Sequence, residues 1–399
     1  MKKYLFKGFA FATALLMCSC LGGKLETIVI EDPSTGIPDD ALATPNPTVT
    51  DITAYIPNFT ATIDEMNGVP IIRLDMTGVK SIDGTDWLKL YGTGDPKQNI
   101  WVEVDNVPKG IDVYNNADKD RGKAILTDIV FTVDNSGSMK EEANAVARDI
   151  VSWATLLSNS GLNARFGCVG YGYYVGYEYN YLKNSYGVEG ALNLTTKDEL
   201  DAYLNRSGST GVERTFGYAG SDGESLKAIA AEDRYSKAGG ENGVQAIRFA
   251  DENFDFRPGA NRIYVNFTDD AIYWGGNKDI SISYMASQDT WPTTKGTIHS
   301  VISNTESKIK SRAQNVGNAD LPWLLSEYTG GTTLFAESDF SGVTLESLPV
   351  TGAIENSYII RFGNVDDLLD GKKHKIHITI RSLDSTVQAD KTFNVAFSK

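Results

Sequence analysis

The sequence predicts a doubly wound, mainly parallel α/β domain inserted into an all-β sandwich that the N- and C-terminal segments form together. Two observations lead there. Apolar residues alternate at period two toward both ends of the chain, whereas from 123 to 340 apolar runs alternate with helical spacing. Size permits it: 399 residues, 41% of them hydrophobic, are enough for two or three packed domains.

The chain opens with Met1-Lys-Lys, an apolar run from Leu5 to Met17, and Cys18-Ser-Cys20. A run of roughly a dozen residues is too short to cross a bilayer, so residues 1–19 are expected to be a signal peptide. Ser19 before Cys20 resembles the lipobox of bacterial lipoproteins, which implies lipidation of Cys20 and anchoring to the membrane. Leu21 differs from the aspartate of an inner-membrane retention signal, favouring the outer membrane or cell surface of a bacterial envelope. The alternative is an ordinary secretory signal with incidental cysteines. Residues 20–50, with Pro33, Gly36, Pro38, Pro45 and Pro47, are expected to be a tether.

From 51 to 122 the pattern is that of strands: Ile72, Leu74 and Met76 alternate with polar residues, as do Ile100, Val102 and Val104. Residues 345–399 repeat it in three runs, at Tyr358/Ile360/Phe362, Ile376/Ile378/Ile380 and Phe393/Val395/Phe397. Three strands alone bury too little surface, so segments 51–122 and 345–399 are expected to build one sandwich together. Between them, Ile125–Val133 is the nearly unbroken apolar run of a strand covered on both faces. Val146, Ala147, Ile150, Ala154 and Leu157 then recur at helical spacing. Further strands are expected at 165–169, 262–267, 296–302 and 332–336, with helices at 243–252 and 323–328.

The formal charge of −15 and the lack of a long basic run argue against nucleic acid as a partner, because the phosphate backbone favours clustered Lys and Arg. Cys168 lies in an apolar run and is expected to be buried filler. Chemistry concentrates where strands end. Asp134-x-Ser136-x-Ser138 follows the first apolar strand directly, and Asp269 follows the strand that closes at Phe267 and Thr268. Ligand sites of open α/β sheets lie beyond the carboxyl ends of the strands, and carboxylate with hydroxyl is an oxygen donor set suited to hard divalent cations. Taken alone, Asp269 reads as a helix or turn cap.

Asp134-Asn-Ser-Gly-Ser-Met139, Thr268-Asp269, the segment Ala-Gly-Gly-Glu-Asn-Gly-Val-Gln-Ala-Ile at 238–247 and Leu324-Leu-Ser-Glu-Tyr-Thr-Gly-Gly331 resemble the metal-ion-dependent adhesion site region of the von Willebrand factor type A (VWA) family. Glu241 stands where most members have threonine, and in this the chain is similar to the integrin β I-like variant. The resemblance implies a Rossmann-like VWA domain over 123–340 and a Mg2+ or Mn2+ site formed by Asp134, Ser136, Ser138, Glu241 and Asp269. It also implies an adjacent Ca2+ site at Glu141 and Glu142, whose other reading is acids favourable to the dipole in a first helical turn. In such a site the ion accepts an Asp or Glu carboxylate from a protein partner.

Tyr171, Tyr173, Tyr174, Tyr177, Tyr179 and Tyr181 sit among Gly and Asn, the composition of a contact loop. An edge hairpin packed on the sheet is the competing reading. The expected function is thus metal-dependent protein binding or adhesion at the cell envelope. A structural surface lipoprotein, or a carbohydrate binder using the tyrosines, stands as the alternative, and a metal-dependent hydrolase is the remaining class. An enzyme is not expected: His299, His374 and His377 have no metal or triad spacing, and no nucleophile elbow, P-loop or H-E-x-x-H occurs.

Overall fold

The chain first forms β1 (Phe59–Met66), β2 (Val69–Met76), β3 (Ile100–Val104), β4 (Val107–Pro108) and β5 (Ile111–Asn115). Asn67 and Gly68, both at positive φ, make the two-residue turn that joins β1 to β2. The central region follows with β6 (Leu126–Asp134), α1 (Ala143–Asn159), β7 (Asn163–Gly172), β8 (Gly187–Thr195), α2 (Lys197–Leu204), α3 (Gly243–Asn253) and β9 (Asn261–Thr268). It continues through β10 (Ile272–Tyr273), β11 (Thr297–Ile302), α4 (Glu306–Val316), β12 (Ala319–Asp320), α5 (Leu324–Thr329), β13 (Thr333–Phe335) and α6 (Pro349–Glu355). Then come β14 (Tyr358–Phe362), β15 (Lys373–Arg381) and β16 (Gln388–Ala396). This computed structural model describes residues 35–397 apart from 84–85, 116–125, 141, 160–161, 173–186, 206–225, 227–228, 231, 237, 239 and 339–347.

The architecture is mixed α/β. Six central strands form one sheet in the order β13-β11-β9-β6-β7-β8, parallel throughout except for β8, which returns antiparallel beside β7. Burial on both faces explains the unbroken apolar run of β6. On one face, Ile129, Phe131 and Val133 meet Val146, Ile150 and Trp153 of α1, with the Trp153 ring edge-on to Phe131 at 5.4 Å. On the other, Val130 and Tyr264 meet Val244, Ile247 and Phe249 of α3. Each such large side chain, once fully buried, contributes about 1.5–3 kcal/mol.

Strands from the two ends of the chain interleave in two four-stranded antiparallel sheets, β1-β2-β14-β5 and β16-β15-β3-β4. Their apolar faces share one core, in which Phe59 meets Phe393 edge-on at 4.7 Å. The strand that begins this unit is fastened to the α/β sheet: Asn58 donates to the Thr329 carbonyl at 2.8 Å and, through Nδ2, to the Gly296 carbonyl at 2.9 Å. Lys391 donates to the Tyr328 carbonyl at 2.9 Å across the same joint. At Gly330, where φ is +76°, a Cβ would lie 2.2 Å from the Ile56 carbonyl oxygen, so glycine is required for the close approach.

The expected tether needs correction from residue 35 onward. Thr35 and Ile37 are buried, Asp40 pairs with Lys109 at 3.0 Å and also accepts from the Gly110 N–H, and Asn46 donates to the Thr379 hydroxyl at 2.9 Å. Apolar Ile37 and these paired polar groups bind the segment to the antiparallel sheets. Residues 1–34, with the signal peptide and Cys20, lie outside the described residues. Among the described residues no helix is long and apolar enough to cross a membrane.

Candidate metal centre

β6 and β9 are adjacent and parallel, so Asp134 at the end of one and Thr268-Asp269 at the end of the other emerge at the same edge of the sheet. Beyond Asp134 the chain turns on its own hydrogen bonds. One carboxylate oxygen accepts from the Ser136 N–H at 2.9 Å, the other from the Thr268 hydroxyl at 3.0 Å. Ser136 Oγ and Ser138 Oγ lie 2.9 Å apart, and Ser138 donates to Asp269 at 3.0 Å.

Glu241 reaches this edge from the loop before α3. Asn242 caps that helix by accepting from the Gln245 N–H at 2.9 Å, while its Nδ2 donates to the Tyr273 and Ile280 carbonyls. The Glu241 carbonyl accepts from the Tyr273 N–H at 3.0 Å. Gly243 lets the helix start against β9, since a Cβ there would lie 2.5 Å from Asn266 Oδ1.

The result is a cluster in which Asp134, Glu241 and Asp269 each place one carboxylate oxygen within 4.8 Å of the others. Asp134 and Asp269 are buried and Glu241 nearly so, while Ser138 is exposed and marks the open side. Burial pushes the Asp134 carboxyl up, and neighbouring Asp269 adds to the shift. Glu241 is raised by burial and then by Asp134, Asp270 and Asp269. Asp269 is raised chiefly by its own burial. Asp270 is engaged elsewhere, accepting from Arg312 at 2.8 Å and the Tyr273 hydroxyl at 2.9 Å.

The donor set is all oxygen, without imidazole or thiolate, which suits hard cations. Opposite ligands of Mg2+ stand roughly 4.0–4.2 Å apart and those of Ca2+ roughly 4.6–5.2 Å, so the 4.8 Å span accommodates a divalent ion. A cation among the three carboxylates would offset both their mutual repulsion and the burial that raises their pKa values.

The structure thus brings together Asp134, Ser136, Ser138, Glu241 and Asp269. The adjacent pair fares differently. Glu142 is turned into the protein, where the Ser303 hydroxyl donates to it at 3.4 Å, and Glu141 lies outside the described residues. Tyr171 also needs correction: it is an interior residue of β7, 1% exposed, whose hydroxyl donates to Asn266 Oδ1 at 3.0 Å. It belongs to a strand covered on both faces and points into the core, so it is no contact residue. Tyr173, Tyr174, Tyr177, Tyr179 and Tyr181 lie outside the described residues, between the two strands of the β7–β8 hairpin.

Sequence reasoning missed the support beneath the site. Thr268 fixes Asp134, Asn242 fixes the Glu241 loop, and the Thr132 and Tyr171 hydroxyls both donate to Asn266 below. Asn242 before Gly243 was a readable helix cap. Arg312 had no local signal, since α4 brings it to Asp270 from 42 positions away.

No family model matches the sequence, and no curated protein matches it. Among solved structures, proximal thread matrix protein 1 from the mussel byssus, with a zinc-occupied MIDAS motif, is 9% identical over 63% of this chain and 49% of its own, with a TM-score of 0.34. Human COPII-coat protein Sec24c is 8% identical over 94% of this chain and 57% of its own, at 0.34. The pilus adhesin SpaC from Lactobacillus rhamnosus GG, in an open conformation, is 11% identical over 94% of this chain and 56% of its own, at 0.34. The chain therefore spans about half the length of each of these proteins.

Proposed function

We propose that the chain is a metal-dependent protein-binding module of the VWA type, held at the outer membrane or surface of a bacterial envelope through a lipid on Cys20. The observation that carries this reading is the convergence of Asp134, Glu241 and Asp269 to within 4.8 Å at the open ends of β6 and β9. These three carboxylates, with the Ser136 and Ser138 hydroxyls, would hold Mg2+ or Mn2+. When bound, such an ion supplies an electrophilic position for an Asp or Glu carboxylate of the partner. The chain's own contribution is to hold the ligands in place through Thr268 and Asn242, and to leave the Ser138 side open. The role is binding rather than turnover.

Calorimetric titration of the metal-stripped protein with Mg2+, Mn2+ and Ca2+ tests this. We expect binding that disappears in Asp134→Ala while the variant stays folded, because Asp134 closes β6 at the edge of the sheet, beyond the apolar core. Equal affinity in the variant and the parent would sink the assignment.

A further inference from the structure

Away from the metal centre, β13 ends the six-stranded sheet, and among the described residues no strand pairs with its outer side. Its ladder to β11 uses the Thr332 carbonyl, which accepts from the Ser300 N–H at 3.0 Å, and the Ala336 N–H, which donates to the Ile302 carbonyl at 2.8 Å. Alternate residues of a strand face opposite ways, so Thr333 and Phe335 turn their N–H and C=O groups outward. That is unusual, because parallel sheets are normally covered and exposed edges are normally blunted.

This edge borders a cleft of about 410 Å3 that Tyr55, Lys80 and Ile82, from the N-terminal part of the chain, also line. The lining is mixed: Ile82, Trp323 and Phe335 supply apolar surface among polar and charged residues. Ile82 and Phe335 are 47% and 44% exposed, and the Trp323 ring is tilted against Phe335 at 5.7 Å. The charge is acidic. Glu306 in the cleft is engaged by Lys310, and the Lys80 ammonium sits over the Trp87 ring at 5.9 Å. Asp83 and Glu327 also line the cleft, so its acids outnumber Lys80, whose charge remains.

We propose that the free edge of β13 is a docking strand for an extended peptide carrying a basic side chain. The peptide backbone pairs with the outward N–H and C=O groups of Thr333 and Phe335. Its apolar residues lie against Phe335, Trp323 and Ile82, and its Lys or Arg meets Glu327. Backbone pairing provides affinity and the alternate side chains provide selectivity. The site lies apart from the carboxylate cluster and needs no metal.

The test is fluorescence anisotropy of the labelled, acetylated and amidated peptide Val-Lys-Val-Thr-Val against the full chain in EDTA, which silences the metal centre. Saturable binding is expected. N-methylation of the alternate backbone nitrogens that face β13 should weaken it by roughly tenfold, from two lost hydrogen bonds. Replacing the peptide lysine with norleucine should cause a loss that Glu327→Gln reproduces and that does not add to it. An N-methylated peptide that binds as tightly as its parent, or no saturable binding up to millimolar peptide, overturns the docking strand. Unchanged affinity for the lysine peptide in Glu327→Gln overturns the assignment of the basic side chain.

Discussion

Glu241→Gln is expected to stabilise the metal-free protein and to gain less stability than the parent once metal is added. Glutamine keeps the shape of the side chain and removes a carboxyl whose ionised form is opposed by burial and by Asp134 and Asp269, all within 4.8 Å of one another. Two like charges at that distance repel by about 3.5 kcal/mol at an effective dielectric of 20. Water on the open side of Ser138 screens part of this, so a gain of about 2 kcal/mol is expected in EDTA. Glu241 is the better choice than Asp134, whose carboxylate oxygens accept from the Ser136 N–H and the Thr268 hydroxyl and would meet an amide NH2 badly. With metal the variant's advantage shrinks: an ion at a hundred times its Kd stabilises the parent by about 2.7 kcal/mol, and the variant, which binds it more weakly, gains less. Urea unfolding at pH 8, in EDTA and in excess Mn2+, reads both effects. A variant less stable than the parent in EDTA refutes the repulsion, and an equal gain from Mn2+ in both proteins refutes Glu241 as a ligand.

Two other changes test the scaffold. Asp105, hydrogen-bonded at 2.7 Å, raises the pKa of His374, so the stabilisation is complete below the ordinary value of about 6.5 and is lost as pH rises through the higher folded value. Urea midpoints should therefore fall between about pH 6 and pH 8 in the parent and less in His374→Gln; an NMR titration placing His374 below its ordinary value contradicts this. Tyr171→Phe should cost about 1 kcal/mol by removing the hydroxyl that donates to Asn266. Unchanged stability would mean that Tyr171 does not anchor the core beneath the metal centre.

Much of this was legible because the signals were periodic and local. The alternation of Ile376, Ile378 and Ile380 became the inward face of β15, and the run ending at Val133 became β6. Asp134, Ser136 and Ser138 were readable because they follow a strand within five residues. Glu241 was not readable from spacing at all; it entered through resemblance alone, and only the packing of α3 on the sheet brings it to Asp134. Tyr171 misled because a tyrosine among glycines has the composition of a loop, whereas the pairing of β7 with β6 continues through it and buries it. The segment at 35–50 misled in a similar way. Its prolines indicate the absence of regular structure, which is a different property from the absence of contacts.

The pairing of β5 with β14 has a consequence for assembly. Asn115 and Tyr358 face each other in register, so joining them from an unfolded chain closes a loop of roughly 240 residues at an entropic cost of about 5 kcal/mol. A folded α/β domain shortens that search, which favours assembly from the inside outward. During synthesis β5 has no neighbour among the described strands until Tyr358–Phe362 emerge, and β3 waits for Lys373–Arg381 to complete its pairing. The early strands therefore spend most of translation as open edges, the state most prone to pairing with another chain.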